Sequence, residues 1–440
     1  MKYTLILGFL LINSIYSKLE TKSNYDYSSY KANKINVNVK NENISCINSD
    51  ESAVYIDTKN SLSVKDSNIK KDSGDSSNIQ NSDYYGVNAA ILVQGGYLEV
   101  HEVEILTKTK GANALVATND AYIDIGVLTI ISEGQMSARG LLATYNGTMD
   151  GNLLNINTTG ESCPSISIGR GGGLIKCKNC ILSTKGKLSP LSYSSGYILF
   201  SKSKGVAEAS QAFIIDGKST IEIERRSVFK CSATPDKEEI DQCGIMIYQS
   251  MSGDSSIGTG TFKSDDSTIE ILNSSKYFNT APMFLVTNTK ALIELSESTF
   301  IYGSNIFLSV KGTNKWGEQG KNGGDVYLTL KNQNIEGDLV LDEISSLTID
   351  LQSSSIKGTI NSGKKAMKLA ISLDSQSKIY LTGDSCYTEL KNSDLTGSNL
   401  INGTYTWTKY EERQPENQGS EANIISNSKL IYLILGMILI

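Results

Sequence analysis

The sequence predicts an all-β fold, a right-handed parallel β-helix solenoid of about twelve coils. An apolar pattern recurs along the middle of the chain, a second short apolar segment follows each copy, and no long amphipathic helix pattern interrupts them. A single compact core of this length would be unusual, whereas each coil of a solenoid needs only its neighbours. An array of β-sandwiches is the main alternative, and it fits less well because Asn-Gly hairpin turns do not regularly separate the apolar segments.

The chain begins with a segment that is typical of export. Lys2 precedes an apolar run from Leu5 to Ile12, and the small residue Ser17 follows as a cleavage point. We therefore interpret residues 1–17 as a secretory signal peptide, with an N-terminal membrane anchor as the alternative. Residues 18–50 are rich in Asn, Lys, Ser and Tyr, and we expect them to form a lead-in or an N-terminal cap.

Residues 51–408 carry the repeat on which the fold prediction depends. Each copy reads apolar, any, apolar, two of any, apolar or Ser, any, apolar, and the first full copies step by about 25 residues. Period-2 alternation turns one face of a strand inward, and the extra middle residue lets the chain turn a corner and face inward again. Segments such as NAAILV at Asn88 and RGLLAT at Arg139 would complete the coils. Full copies begin at Leu62, Leu98, Ile123, Met149, Ile175, Ile293 and Ile349, and weaker copies at Ile221 and Ile269.

The stretch SCPSISIGRGGGLIKCKNC (162–180) holds three of the seven cysteines. Cys177 and Cys180 occupy inward positions of a copy, so we favour a core role for both as small apolar side chains. A disulfide between them is the alternative because export permits one, whereas zinc would need a second ligand pair, so no metal site is predicted. The glycines before this strand indicate a corner, and we expect Arg170 among them to be solvated.

Two further cysteines, Cys231 and Cys243, flank the polar excursion SATPDKEEIDQ. A disulfide there would close the excursion, and two unpaired thiols are the alternative.

Two long loops form the expected binding surface, YQSMSGDSSIGTGTF (248–262) and KGTNKWGEQGKNGGD (311–325). Both interrupt the coil at what looks like the same corner, one coil apart, and long loops on a rigid scaffold often carry binding. Trp316 is a candidate for stacking on a sugar ring, and a Trp folded back onto the solenoid is the alternative. The polar candidates for ligand contact are Asp254, Glu318 and Asp325.

The chain ends with a polar spacer (409–429) and an apolar tail (430–440). The tail is about half as long as a membrane-spanning helix needs to be, and the layout is that of a GPI-attachment signal. Ser420 is the best ω residue and Gly419 its competitor. Such an anchor predicts a location on the extracellular face of the plasma membrane, and a short apolar tail with another role is the alternative.

Asn-X-Ser/Thr tripeptides agree with passage through a eukaryotic secretory pathway. The net charge of −6 is mild for 440 residues, and the basic residues are dispersed, so no nucleic-acid-binding surface is expected. The acceptor residues for glycosylation are Asn43, Asn146, Asn157, Asn273 and Asn402.

No catalytic constellation can be assigned from the sequence. The single histidine, His101, is expected to point outward, and no Ser-His-Asp set can be nominated. Asp265 and Asp266 lie at a coil corner, where Ca²⁺ is the alternative to ordinary turn chemistry, and no other cofactor is expected. The remaining carboxylates considered are dispersed on outer strand faces, at Asp124, Glu222 and Glu224.

The repeat positions, together with GVNAAILV, ARGLLATYNG, GRGGG, YQSMSGD and GTGTF, resemble the right-handed β-helix surface proteins of the pectin-lyase-like superfamily, and in particular its adhesin-like branch. The resemblance covers about residues 50–400 and implies the fold. The superfamily includes polysaccharide lyases, hydrolases and binding proteins, but no lyase or hydrolase motif carries over to numbered residues here. The GPI-like tail departs from the bacterial members.

These features predict a non-catalytic, secreted and surface-anchored protein that presents loops for adhesion or for binding carbohydrate or cell wall. Its expected partners are a polysaccharide, a surface glycan or a surface protein, and a membrane through the lipid anchor. A lyase or hydrolase acting on acidic polysaccharide is one alternative, and a passive wall or coat component is another. Three or more carboxylates converging with a Lys or Arg in one groove would favour the enzyme.

Overall fold

The computed structural model describes residues 28–32, 37–57, 60–235, 241–391 and 399–413. Over these ranges the chain is a parallel β-helix of roughly eleven coils, which confirms the fold that the sequence predicts. The described part holds one short helix, α1 (Ile79–Tyr85). The predicted signal peptide, the ω residue Ser420 and the apolar tail lie outside the described residues.

The strands are short, and most coils contribute three. Those of the first half are β1 (Ser28–Ala32), β2 (Val37–Lys40), β3 (Asn43–Cys46), β4 (Ser52–Ile56), β5 (Ser61–Lys71), β6 (Ile91–Gln94), β7 (Tyr97–Thr107), β8 (Leu115–Thr118), β9 (Tyr122–Ile125), β10 (Leu128–Ser132), β11 (Leu141–Ala143), β12 (Gly147–Asn152), β13 (Leu154–Thr158), β14 (Ile166–Ile168), β15 (Gly173–Lys178), β16 (Ile181–Thr184), β17 (Ser192–Ser194), β18 (Tyr197–Ser201), β19 (Lys204–Ala207) and β20 (Phe213–Asp216). Those of the second half are β21 (Thr220–Glu224), β22 (Val228–Cys231), β23 (Ile245–Tyr248), β24 (Thr259–Asp265), β25 (Thr268–Ile271), β26 (Phe284–Thr287), β27 (Thr289–Ser296), β28 (Thr299–Ile301), β29 (Ile306–Val310), β30 (Gly324–Lys331), β31 (Asn334–Glu336), β32 (Asp338–Leu341), β33 (Ser346–Gln352), β34 (Ser355–Gly358), β35 (Lys368–Leu373), β36 (Lys378–Leu381), β37 (Ser385–Tyr387), β38 (Glu389–Lys391), β39 (Leu400–Ile401) and β40 (Trp407–Lys409).

Parallel pairing between successive coils joins these strands into long sheets. Sheet A holds 12 strands stacked in chain order, from β1 to β32. Sheet B, with 22 strands, takes the strands on both sides of the corner that follows, and near the C-terminus sheet C (β31, β34, β36 and β39) takes over the far side of that corner. Strands β37 and β40 form a separate pair.

The predicted corner within each copy is present and has a clear backbone cause. One residue at the middle of the copy adopts a left-handed conformation, for example Glu102 (φ 55°), Lys202 (φ 51°) and Ser353 (φ 50°). A left-handed residue reverses the alternation of inward and outward side chains, so apolar residues on both sides of the corner face the interior. Equivalent positions pair in register along the sheet, as Leu98 does with Ile123.

The structure corrects the register of one copy. Ile269 is the last inward residue of its copy, because the corner lies before it at Asp266 (φ 42°) and the copy begins at Phe262. Serine occupies the two middle inward positions of this copy, which weakens the apolar pattern. Two further copies begin at Ile198 and Leu328, and their first two inward residues are buried.

The serine position of the pattern forms a hydrogen-bonded ladder inside the corner. The Ser203 hydroxyl accepts from the Cys180 N–H at 3.0 Å, and the Ser227 hydroxyl accepts from the Ser203 N–H at 3.0 Å. Ser354 and Ser377 repeat the same contact in later coils. A backbone N–H that would otherwise be buried and unpaired is thereby satisfied, which explains why Ser alternates with apolar residues at this position.

Aromatic rings continue the core through the middle coils. Phe200, Phe213 and Phe229 lie with ring centroids 5.1 to 5.8 Å apart, and Phe262 and Phe284 extend the stack at 5.4 Å. Tilted and edge-on contacts of this kind add to the burial free energy of each ring.

Cys177 and Cys180 are both in the core and are joined by a disulfide with their Cα atoms 5.9 Å apart. Both interpretations of this pair are therefore correct, because the two cysteines are buried in the core and also form a disulfide. The expected bond between Cys231 and Cys243 is absent, and both are free thiols. Cys231 faces the interior, whereas Cys243 packs in a separate cluster with Met246 and Tyr248, so the two sulfurs belong to different cores.

Among the described residues, no helix is both long enough and apolar enough to cross a bilayer. Of the glycosylation acceptors, Asn43, Asn146 and Asn273 are exposed, and Asn157 and Asn402 are half-buried. Their modification stays a prediction.

Candidate functional site

The outer face of sheet A is apolar, which sets it apart from a solvated strand face. Strands β6 and β8 bury their outward residues Leu92 and Val116 as well as their inward ones, and Leu142 of β11 continues the same line in register. A parallel sheet whose strands are apolar on both faces needs a cover on each of them.

Helix α1 covers the N-terminal end of this apolar face. Its N-cap, Asn78, accepts a hydrogen bond from the Gln80 N–H, and Gly86 ends it in a left-handed conformation (φ 71°). A Cβ on Gly86 would lie 2.5 Å from Val116 Cγ1, so only glycine lets the end of the helix approach the sheet this closely.

Trp316 covers the other end of the face. Its indole packs edge-on against Tyr248 with ring centroids 4.7 Å apart, next to a cluster that includes Met246 and Leu285. The Trp316 Nε1–H donates to Asp241 Oδ1 at 3.3 Å. Trp316 is therefore folded back onto the solenoid, as the alternative interpretation has it, and it also lines the cleft described next.

The two long loops meet through the coil that lies between them. The Asn288 N–H donates to the Asn322 carbonyl at 2.8 Å, and Asn288 Nδ2 donates to the Gln249 carbonyl at 2.9 Å. The loops thus occupy the same corner and form one wall, as the sequence predicts.

Between α1 and this wall lies a cleft of about 380 Å³. This volume is within the range of small-molecule sites, roughly 300–1,000 Å³. Its floor is a single register line of outward residues on sheet A: Leu142, Ser167, Tyr193, Ile214 and Met246.

Three cation–carboxylate pairs line the cleft. Each pair joins distant parts of the chain, and each is largely shielded from solvent. The pairs are Arg139 Nη1 with Asp83 Oδ1 at 2.6 Å, Arg170 Nη2 with Asp254 Oδ1 at 3.0 Å, and Lys315 Nζ with Asp241 Oδ2 at 2.7 Å.

Arg170 is not solvated, contrary to expectation. Its side chain is 17% exposed, its guanidinium lies 3.9 Å from the centroid of the Tyr84 ring, and both Nε and Nη2 donate to Asp254. It therefore links α1 to the loop after β23. The neighbouring Gly171 and Gly172 do have positive φ, as a tight corner requires.

Beneath the cleft, Asp216 is fully buried at the end of β20. It accepts from the Tyr193 hydroxyl at 2.6 Å and from the Ser250 N–H at 2.7 Å. Burial raises the pKa of Tyr193 well above its ordinary value, and burial raises the pKa of Tyr248 as well. Both phenols are therefore neutral at physiological pH, so they serve as hydrogen-bonding groups and not as bases.

Two of the four predicted ligand residues lie at the cleft, and two lie outside it. Trp316 and Asp254 line the cleft, whereas Glu318 is exposed and paired with Lys321 at 2.8 Å, and Asp325 lies in β30 outside the cleft. His101, Asp124, Glu222 and Glu224 lie on outer strand faces as expected, away from the cleft.

Sequence reasoning missed Asp83, Arg139, Asp241 and the cover over sheet A. Unbroken apolar runs such as LVAT in β8 are the signal that would have indicated a covered outer face. Asn78 followed by Gly86 is the signal for the short helix.

A second groove of about 580 Å³ lies where sheets B and C separate. There β28 and β31 are not paired, and the Gln333 side chain spans the interruption by accepting from the Ser298 N–H and donating to the Ser298 carbonyl, both at 2.7 Å. Its only ion pair among the described residues, Glu336 with Lys357, is exposed, so we regard the cleft over sheet A as the stronger candidate.

Within the described ranges, no group of three or more His, Cys, Asp or Glu side chains is arranged to hold a metal ion. Asp266 is a corner residue, as expected for turn chemistry.

The chain matches no family model, no curated protein and no solved structure.

Proposed function

We propose that the cleft over sheet A binds a carbohydrate, and that the protein is a non-catalytic, secreted and surface-anchored β-helix whose loops and cleft make this contact. The supporting observation is a shielded cleft with aromatic rings at both ends and paired polar groups along its sides. Sugar rings have apolar faces that pack on aromatic side chains and hydroxyls that need several hydrogen-bonding partners. Tyr84 and Trp316 supply the rings.

Export and anchoring at the cell surface belong to the same proposal. They are supported by the apolar N-terminal segment, the GPI-like tail and the sequons. A solenoid anchored outside the cell would expose its cleft directly to wall or surface glycans.

The test is a glycan panel probed with the full chain, purified from a secreting host. Bound glycans are expected to change the fluorescence of Trp316 in a Trp407→Phe background, because the chain has two tryptophans. Ser167→Leu, which puts a larger side chain at the floor of the cleft and keeps the aromatic rings and the ion pairs, should abolish binding. Tyr327→Ala, which removes an exposed ring on sheet B, should not change it. Absence of binding to every glycan would refute the proposal.

Cleavage of polysaccharide is a second candidate, favoured by one observation. Asp83, Asp241 and Asp254 line one groove together with two arginines and a lysine, and carboxylates that share a groove with cations favour an enzyme. Each carboxylate is held in an ion pair, however, so a substrate would have to displace a cation before that carboxylate could act on the glycosidic bond. Release of reducing or unsaturated ends from a bound polysaccharide, lost in Asp241→Asn, would establish this alternative.

A further inference from the structure

The charged side chains that line the cleft compensate one another. Arg139, Arg170 and Lys315 each have a carboxylate partner within 3.0 Å, so the three pairs add no net charge. We infer that the cleft selects an uncharged carbohydrate and excludes acidic glycans; this inference rests on the binding function proposed above.

Shielding makes these pairs costly to break. The side chains of Arg139 and Arg170 are both 17% exposed, and that of Asp241 is 5% exposed. A uronate or sulfate that took over one of the cations would leave an aspartate in a shielded site without its partner, which is strongly unfavourable. The same aspartates would repel the incoming anion at short range.

A neutral sugar avoids both costs. Its hydroxyls can donate to the remaining lone pairs of an aspartate and accept from the remaining N–H groups of an arginine while the ion pair stays intact. The floor between the pairs is apolar or neutral, with Ile214, Ser167 and the protonated phenol of Tyr193. Such a surface suits the apolar face of an uncharged sugar ring.

Arg170 offers the sharpest test, because its position does not depend on its carboxylate alone. The guanidinium rests on the Tyr84 ring at 3.9 Å, so Asp254→Asn should leave the cation in place and remove the negative charge of Asp254 beside it. This variant is expected to gain binding to uronate-containing glycans by about tenfold or more, as expected for a new charge-assisted hydrogen bond in a shielded site. Asp83→Asn, which uncovers Arg139, tests the same idea at a second pair, and Glu318→Gln is the matched control on an exposed loop carboxylate.

Neutral and acidic glycans are to be titrated against the wild-type chain and these variants at about 0.01 M and 0.15 M salt, since exposed charge attraction is screened over this range. The wild type should bind only neutral glycans, with little change between the two salt concentrations. Salt-sensitive binding of an acidic glycan by the wild type, lost in Ser167→Leu, would overturn the inference and leave the carbohydrate-binding function standing. Failure of both aspartate variants to gain acidic binding would also overturn it, and absence of all binding would refute both proposals.

Discussion

Lys71 is an amine with no solvent exposure at the end of β5, near the N-terminal end of the described coils. Its Nζ lies 3.8 Å from Cys46 Sγ and donates to the Asn48 carbonyl. Burial lowers the pKa of Lys71, because the charged form loses its hydration, and the nearby sulfur and carboxylates oppose this only in part.

A lowered pKa at Lys71 makes the stability of the fold depend on pH in the alkaline range. Between the folded-state pKa and the unfolded value of about 10.4, the unfolded chain binds more protons, so the free energy of unfolding rises with pH. Below the folded-state pKa the amine is protonated in both states, and the stability gained from the neutral amine of Lys71 is lost. Lys71→Met should remove this rise of the free energy of unfolding with pH. Thermal unfolding of the wild type and of Lys71→Met at a series of pH values up to about 10.4 checks it. Parallel curves for the two proteins would contradict the prediction.

The free thiols should be inert in the native protein. Burial raises the pKa of Cys163 to about 11 and that of Cys231 to about 12, and all five free cysteines are buried. Because the thiolate is the reactive form, a raised pKa and a closed surface both suppress reaction. A colourimetric thiol reagent at about pH 8, below the ordinary thiol pKa of about 8.5, should detect none in the folded chain. It should detect five in denaturant and all seven cysteines after reduction, and a fast native reaction would refute this.

At the scale of the strand pair, the left-handed corner residue determines which side chains of the next strand face the interior. Lys202 is an exposed corner residue with φ 51°, and its side chain makes no hydrogen bond or ion pair within the described part of the chain. Lys202→Val should destabilise the protein by about 1–2 kcal/mol, because a β-branched residue is disfavoured in this conformation. Lys202→Asn should cost little, since asparagine tolerates it.

Chemical denaturation of the two Lys202 variants beside the wild type measures this difference. Equal losses from valine and asparagine would show that the corner conformation is not what constrains the position. Ser201→Val, at the preceding buried position, is the control. It shows how much stability a valine costs next to the corner, without the left-handed backbone conformation of Lys202.

Inward strand positions could be predicted because they are a local property of the sequence. Leu98, Val100, Val103 and Ile105 are all buried, and their spacing alone marks two strands and a corner. The copy at Phe262 was misplaced for an equally local reason. Serine there is stabilised by hydrogen bonds within the ladder, which a pattern of apolar residues does not capture.

The cleft could not be predicted to the same extent, because its contacts are long-range. Arg170 and Asp254 lie 84 residues apart, and Arg139 and Asp83 lie 56 apart. Each of these charged residues taken alone is typical of a solvated surface. Only the stacking of coils, which fixes how many residues separate neighbours in space, brings them together.

At the scale of the whole molecule, the solenoid makes the cleft a product of several consecutive coils. Its floor runs from β11 to β23, and its walls come from α1 and from the loops around Asp254 and Trp316. Because coils contact mainly their sequence neighbours, stability is expected to be a sum of local terms, and a coil that does not carry the cleft can be weakened alone.

This locality gives the last prediction. Ile349 in β33 and Ile198 in β18 are both fully buried, but only Ile198 lies in a coil beneath the cleft. Replacing either isoleucine with alanine should cost about 2–5 kcal/mol locally, through lost burial and a cavity. Hydrogen exchange followed by mass spectrometry should show faster exchange in the C-terminal coils for Ile349→Ala, with peptides from β14 to β20 unchanged. Ile198→Ala should speed exchange in β14 to β20 and weaken glycan binding, whereas Ile349→Ala should leave binding unchanged. If both variants speed exchange along the entire chain, the coils fold as one cooperative unit, and the local account of stability is wrong.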